Sequence, residues 1–547
     1  MKKLYALGFA LSLISFGFSQ TTYQSVYNIL QQNCTGSCHT QANPQNLVLE
    51  GTPQQVYTAL VNATPVNSIA RTAGNLVVDP GNPRNSFLFI KINHGLDYNL
   101  QMANGEGIAM PDSNVSMSEV EREMVRQWIL FGARDTGTFL DSSILVNFYV
   151  GQGGEPRVSP LAPPAPGTGV QLHWGPMFVN PGVEIQYNIN TYINNSTPID
   201  ISSFTSKDNP ESHHFAIFKY HPGHDTLFAK GMIPEMGLSD VASMWYNADL
   251  ISQYPKDMQM DFPAGTGLVW DSATVLSLSY HMINYRDSIL AAEGYLNMYY
   301  HEHVPGTTPV LTAQVIYHYP NVNDLIIPND SINHTFTINQ HDPDSAFLWN
   351  IISIQAHTHK YGVGYDIWTR KPNGDPDSLI YDGGYDPTYT YNFGQYEWSD
   401  PPYRKFDPPY QVDMRNGLIH KATYNNSSNH TVNFGISTED EMYISFIMYY
   451  KSDFPSAIGE QIYSDDNVKV YPNPVSTEAY IKINSKEDIN NASFYLYDLL
   501  GNQVAKVEGI NQHYFRADLS SLANGCYIYR LTANGKYTGT GKLIVQH

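Results

Sequence analysis

Gln355-Ala-His-Thr-His-Lys-Tyr-Gly362, preceded by Phe347-Leu-Trp-Asn-Ile-Ile-Ser-Ile354, is the stretch on which the reading of the chain turns. The run from Phe347 is rich in β-branched and aromatic residues, which predicts a buried strand. Side chains two apart on a strand share a face, so His357 and His359 would present two imidazoles in one direction. Two imidazoles are half of a metal site, but histidines at this spacing also occur as unrelated strand residues. The rest of the chain has to decide.

Three other segments bear on it. Ser212-His213-His214 enters the apolar run Phe215-Ala-Ile-Phe218. Neighbours on a regular strand face opposite sides, so both histidines could reach one metal only at an irregular strand start; otherwise one is buried and one exposed. In Val275-Leu-Ser-Leu-Ser-Tyr-His281-Met, residues Leu276, Leu278, Tyr280 and Met282 alternate against a face that carries His281. Met442, Ile444, Phe446 and Met448 share a face of a further strand, where core packing alone would explain them.

Composition narrows the class. At 547 residues the chain exceeds one core, and about three to four domains are expected. A net charge of −21 disfavours nucleic acid and anionic lipid as partners. Only 15% of residues are charged while Tyr and Gly number 40 each, which points to a mainly β protein. Met1-Lys-Lys and the apolar run Leu4 to Phe18 have the form of a signal peptide over residues 1–19, and no later stretch is long enough to span a membrane. Export permits disulfides, yet Cys34, Cys38 and Cys526 are the only cysteines, so no disulfide framework can hold the large middle of the chain.

Cys34 and Cys38 precede His39 in Cys-Thr-Gly-Ser-Cys-His. Two thiols that could bond haem vinyl groups and an adjacent imidazole suggest a c-type haem with one residue more than the usual spacing; a Cys34–Cys38 disulfide is the alternative. Downstream, Gly105-Glu-Gly-Ile-Ala-Met110-Pro111 is followed by the capping box Ser118-Glu-Val-Glu121 and an amphipathic helix through Val120, Met124, Val125 and Trp128. Residues 20–137 thereby resemble the cytochrome c domains of secreted bacterial proteins. That resemblance implies Cys34 and Cys38 as haem attachments, His39 as proximal ligand and Met110 as distal ligand, with Met102, His94 and Met117 as competitors. Residues 138–168, which include the Pro-rich Ser159 to Thr168 region, are expected to be a linker.

The segments His213-His214, His281 after Phe262-Pro-Ala-Gly-Thr-Gly267, His357-Thr-His359 and Thr438-Glu-Asp-Glu-Met442 occur in the order found in the copper type II, ascorbate-dependent monooxygenases, and the chain resembles that family. The resemblance implies two jelly-roll-like β-sandwiches, over 169–300 and 301–458, with one copper each. His213, His214 and His281 would hold the electron-relay copper; His357, His359 and Met442 would hold the copper at which O₂ is activated and would be the catalytic set. It further implies hydroxylation of a C–H bond of a small organic substrate with O₂. Electrons would come through the haem from an external donor, ascorbate-like or a redox protein. The peptide-amidating branch binds its substrate carboxylate with Arg, Asn and Tyr where this chain has Gln355, Ile444 and Phe446, so a neutral or apolar substrate is expected. The competing non-enzyme expectation is a copper- and haem-binding surface protein that transfers electrons without hydroxylating anything.

From Val470-Tyr-Pro-Asn-Pro474 the chain reads as a small Ig-like β-sandwich, 466–547. With Tyr497-Asp-Leu-Leu-Gly501 it resembles the C-terminal sorting domain of type IX secretion. That resemblance implies contact with the secretion machinery and a secreted or cell-surface product that passes through the periplasm.

Overall fold

The computed structural model describes residues 21–547 except 37, 43–46, 113–116, 154–157, 225–229, 235–242, 244–245, 255–256, 320, 385–397, 455–467, 485–488 and 534–535. The expected signal peptide lies outside the described residues. The chain up to Ser452 forms one compact unit and Asp453–His547 a second.

The first unit opens with helices. Thr22–Cys34 is capped by Thr21, and Glu119–Leu130 begins at the expected capping box, in which Ser118 and Glu121 satisfy each other's backbone N–H groups. Their apolar stripes meet around Trp128, with Tyr23 and Tyr57 against its ring. Part of the stretch expected to be linker is instead helical. Ser142–Asn147 buries Ile144 and Leu145 in this same core, because an apolar Ile-Leu pair one turn long gains more from the core than from water.

Beyond it the unit is β. A five-stranded sheet runs in the order Gly231–Pro234, Glu184–Tyr192, Val275–Ile283, Ser212–Tyr220, Ala248–Tyr254. Opposite lies part of a nine-stranded sheet, and Trp174, Phe204, Phe215 and Tyr280 fill the space between. The same nine-stranded sheet continues into the second half of the unit. Thr308–Ile316 pairs parallel with Thr266–Trp270 at Thr308 opposite Thr266, and then come Ile444–Asp453, Phe347–His357 and Tyr403–Asp413. A four-stranded sheet of Asn333–Gln340, Leu418–Asn425, Gly362–Arg370 and Pro376–Asp382 completes that half. The two halves therefore share a sheet at the Phe262 to Gly267 turn.

They also share a core. On the Ser212–Tyr220 strand, Phe215 and Ile217 belong to the first core, whereas Ala216, Phe218 and Tyr220 pack with Ile351, Ile354 and Leu325 of the second. A strand covered on both sides reads as a continuous apolar run. Val275–Ile283 is buried at every position for the same reason. Its alternation now has a meaning: Leu276, Leu278, Tyr280 and Met282 face the first core, which leaves His281 with Val275 on the side of the second half.

The second unit is a small two-sheet sandwich, Val468–Tyr471, Glu478–Ile483 and Tyr514–Asp518 against Gln503–Ile510, Ala492–Tyr497, Gly525–Ala533 and Lys536–Val545. Its core includes Phe494, Leu496, Phe515 and Leu531.

The helical part is docked on the five-stranded sheet by backbone contact. Gly231 has φ +86°, and a Cβ there would lie 2.5 Å from the Leu130 carbonyl oxygen and 2.7 Å from the Gly132 nitrogen. Nothing but backbone stands in the way, so no side-chain movement can relieve it. Gly231→Val is expected to destabilise the first unit by about 3 kcal/mol or more, seen as a lowered midpoint in thermal unfolding.

Candidate metal centre

Five histidines meet where the two halves join. Ser212 pairs with Met282 and His214 with His281, so the register slips by one residue at His213. This bulge is the irregular strand start that the adjacent pair required, and it lets both rings turn to one side, with centroids 5.5 Å apart. His281 stands opposite His214, ring to ring at 5.2 Å.

The other two arrive differently from the expectation of one strand face. The Phe347 strand ends at His357, and His359 lies in the turn beyond it. That turn is tied down by Glu441, whose carboxylate accepts the backbone N–H of His359 at 2.8 Å, of Tyr361 at 2.6 Å and of Met442 at 3.1 Å. The carbonyl of Asp440 faces His359 Nδ1 at 3.3 Å. The two rings lie 5.2 Å apart all the same.

The resemblance implied two separate ligand sets, but the rings interleave. His213 lies 4.7 Å from His357 and 5.5 Å from His359, and His214 lies 5.1 Å from His357. The tightest trio, with ligand atoms within 4.8 Å of one another, is His213, His281 and His359, drawn from both halves. Met442 is buried in the second core, one residue from Glu441. Trp398, which sequence reasoning passed over, stands 5.3 Å from His213.

Burial and mutual repulsion disfavour the charged form of four of the rings. His213, His214 and His357 are pushed well below the usual imidazole range, by burial first and by one another next, and His359 is lowered to about 3. Both ring nitrogens of His213 and His357, Nδ1 of His214 and His281, and Nε2 of His359 are buried without a hydrogen-bond partner. Buried polar atoms are normally paired, and converging neutral imidazoles with free lone pairs are what a transition metal such as copper binds. The donor set therefore fits copper.

Glu184 is the second residue that the sequence reading did not single out. Its Oε1 lies 2.7 Å from His281 Nε2, while Thr438 donates to it through its backbone N–H at 2.9 Å and its hydroxyl at 3.1 Å. These contacts outweigh burial and lower its pKa to about 2. Its pairing with His281 depends on strand register, which no spacing in the sequence reveals. Glu441, by contrast, sits inside the Thr438 to Met442 motif; burial pushes its carboxyl up to about 8 against the pull of the backbone donors.

The residues that stand where the peptide-amidating branch binds its substrate carboxylate are buried too: Gln355, Ile444 and Phe446 are 4%, 3% and 7% exposed. The Gln355 amide oxygen has no partner.

Away from this cluster, the helical part holds a cavity of about 570 Å³ lined by Cys34, His39 and Met110 together with Leu49, Phe87 and Ile92. No disulfide joins Cys34 and Cys38. His39 turns Nδ1 to the Leu47 carbonyl at 2.8 Å, which leaves Nε2 for another ligand. Among the competitors for Met110, Met117 is core, and His94 turns its ring to the Met110 carbonyl at 2.8 Å.

Comparison with known proteins agrees with the site. Residues 314–471 match the profile of the copper type II ascorbate-dependent monooxygenase C-terminal domain, and residues 469–546 match the secretion system C-terminal sorting domain. The chain thus carries a copper-oxygenase domain and a secretion tail, and it is a secreted or cell-surface protein. No helix among the described residues is long and apolar enough to cross a membrane. No curated protein matches the chain. Among solved structures, β-1,2-glucanase from Parabacteroides distasonis is similar at 12% identity over 44% of this chain and 33% of its own, with a TM-score of 0.14. The major capsid protein P2 of bacteriophage PM2 is similar at 9% identity over 51% of this chain and 100% of its own, with a TM-score of 0.23. The chain spans about a third of the glucanase, and overlaps this loose carry no argument about function.

The lowered imidazoles set a pH dependence for the metal-free protein. Unfolded histidines titrate near ~6.5 and the folded ones lower, so the unfolded state binds more protons below ~6.5, and stability falls as pH drops from there towards about 3. The metal-free unfolding midpoint is expected to fall between pH 7 and pH 5, less steeply in His359→Gln, as calorimetry would record.

Proposed function

We propose that the protein is a secreted copper-dependent monooxygenase that hydroxylates a C–H bond of a small neutral substrate, with electrons delivered through a covalently bound c-type haem. The observation that carries this reading is the cluster of five buried imidazoles with unpartnered nitrogens. Copper held there supplies one-electron chemistry and O₂ reduction, so that one oxygen atom enters the substrate and the other leaves as water with two electrons and two protons.

The chain's own residues have distinct parts. His213, His214 and His281 form one ligand set; His357, His359 and the Met442 thioether form the other, the soft sulfur favouring the reduced metal. Glu184 keeps the proton of His281 on Nε2 and so presents Nδ1 as the ligand atom. Glu441 fixes the backbone on both sides of His359 and at Met442. Gln355, on the same face of its strand as His357, offers a buried, unpartnered amide oxygen to a substrate N–H or O–H. With no cation at that position, a substrate carboxylate would lie there unpaired.

Cys34, Cys38, His39 and Met110 are the proposed haem residues, in support of which three of the four line one cavity. A haem there supplies single electrons. Contact between the parts favours their use at the His281 side: Phe131 at the end of the long helix stands 5.9 Å from Tyr187, whose cross-strand partner Tyr280 precedes His281.

Two coppers and one haem per chain are expected on metal and pigment analysis, with O₂ uptake matched by hydroxylated product in a screen of small aromatic, amine and peptide substrates. His357→Ala is expected to lower product formation at least 100-fold, and Gln355→Arg to shift preference towards substrates that bear a carboxylate. In rapid mixing with O₂ and substrate the reduced haem is expected to oxidise during turnover. Copper without coupled product would instead leave the electron-transfer protein, and a haem that stays reduced would remove the haem from the reaction.

A further inference from the structure

Both chain segments that carry the ligand residues of the second half are backed by tyrosines. Tyr443, next in the chain to Met442, is fully buried, and the hydroxyl of Tyr424 donates to the Met442 carbonyl at 2.7 Å. On the other segment the hydroxyl of Tyr381 accepts the N–H of Ala356, the residue before His357, at 3.3 Å and donates to the Pro402 carbonyl at 2.8 Å. Tyr365 joins the two sides, its ring 5.3 Å from Tyr443 and 6.3 Å from Tyr381.

From this buried group the rings lead outward. Tyr317 lies nearly parallel to Tyr443 at 5.4 Å and is only half-buried. It stacks in turn on His318 at 4.0 Å, whose side chain is 51% exposed. Packing alone does not call for these residues. Phe or Leu would fill the same volume without a hydroxyl to be partnered out of water, yet Tyr365, Tyr381, Tyr424 and Tyr443 are all 1% exposed or less. What a phenol adds to a ring is the capacity to give up one electron together with its proton.

We propose that Tyr381, Tyr365, Tyr443 and Tyr317 form an electron-supply chain that discharges the site of His357, His359 and Met442 when O₂ reacts there without substrate. The inference rests on the copper reading above. Hydroxylation draws two electrons from the donor and two from the substrate C–H bond, whereas reduction of O₂ to two waters without substrate draws four electrons and four protons. The missing two electrons have to come from the protein, and the ligand side chains are the nearest source. Tyr317 instead gives one electron inward through Tyr443, and its phenolic proton leaves to solvent, because this ring is the one of the four that is not fully buried. The protons that complete the waters come from solvent. A one-electron donor of the ascorbate class, meeting Tyr317 at the surface, returns the electron, solvent returns the proton, and the step repeats for the second electron. His357 and Met442 are thereby spared, the latter from conversion to its sulfoxide.

The test compares the full mature protein, loaded with copper, with Tyr443→Phe and Tyr317→Phe, which keep the rings and lose the hydroxyls. Copper content and the unfolding midpoint are measured on each. Each is then reduced, freed of excess reductant, mixed with O₂ without substrate, frozen within milliseconds and examined by electron paramagnetic resonance. Peptide mapping by mass spectrometry scores oxidation at His357 and Met442. The native protein is expected to show an organic-radical signal that narrows when its tyrosines are ring-deuterated and that is lost when substrate is present. Both variants are expected to lose the signal at unchanged copper content and to accumulate oxidised His357 and Met442 several-fold faster. The chain is overturned by a native protein without a radical, by a radical that ring deuteration leaves unchanged, as one on Trp398 would be, by a signal that survives in both variants, or by equal ligand oxidation in all three proteins. If one variant fails to fold, the other decides alone. A protein that takes up no copper or consumes no O₂ sinks the functional reading and the chain together; O₂ consumption without a tyrosine radical sinks only the chain.

Discussion

Imidazole nitrogens buried without hydrogen-bond partners are costly, at roughly 1–3 kcal/mol for each unsatisfied group, and this chain places seven of them in one spot. That cost governs how the first unit is built. Burial and the neighbouring imidazoles disfavour the charged form of His213, His214, His357 and His359, and the rings cannot turn to water, since sheets lie on both sides. The site is a set of unpartnered imidazole nitrogens of the kind a bound metal satisfies, maintained by a core large enough to carry the deficit.

Three kinds of backbone irregularity bring the rings together. A bulge at His213 turns neighbouring side chains to one side, a strand end at His357 releases His359 into a turn, and a buried carboxylate replaces the missing ladder by collecting the N–H groups of that turn. Regular strands could not do this, because their side chains alternate. The rest of the architecture serves to hold such irregular pieces still. The continuous sheet and the core common to both halves leave little freedom at the seam, and Tyr443 and Tyr365, packed ring against ring at 5.3 Å, do in the second half what no disulfide is available to do.

The helical part belongs to the same unit. Glycine backbones meet at Gly81, Gly132 and Gly231, and the half-buried Arg84, paired with Asp97, also donates to Gln171 of the first sandwich strand at 2.7 Å. A tethered domain would need none of this.

Much was legible in the sequence. The capping box, the apolar strand runs and the alternation around His281 are local patterns, and local patterns follow from helix and strand periodicity. The histidines and Met442 could be picked out because their order along the chain is distinctive, and the secretion tail because its turn residues are. What the sequence could not decide was distance. It presented two groups of histidines, and only the tertiary structure places their rings beside one another, because the separation of His281 from His359 depends on strand register, a bulge and the reach of Glu184 across a seam. The same holds for Trp398, for the helix inside the presumed linker and for the glycine contacts of the helical part. Each is a contact between segments far apart in the chain, and such contacts are set by packing, on which periodicity is silent.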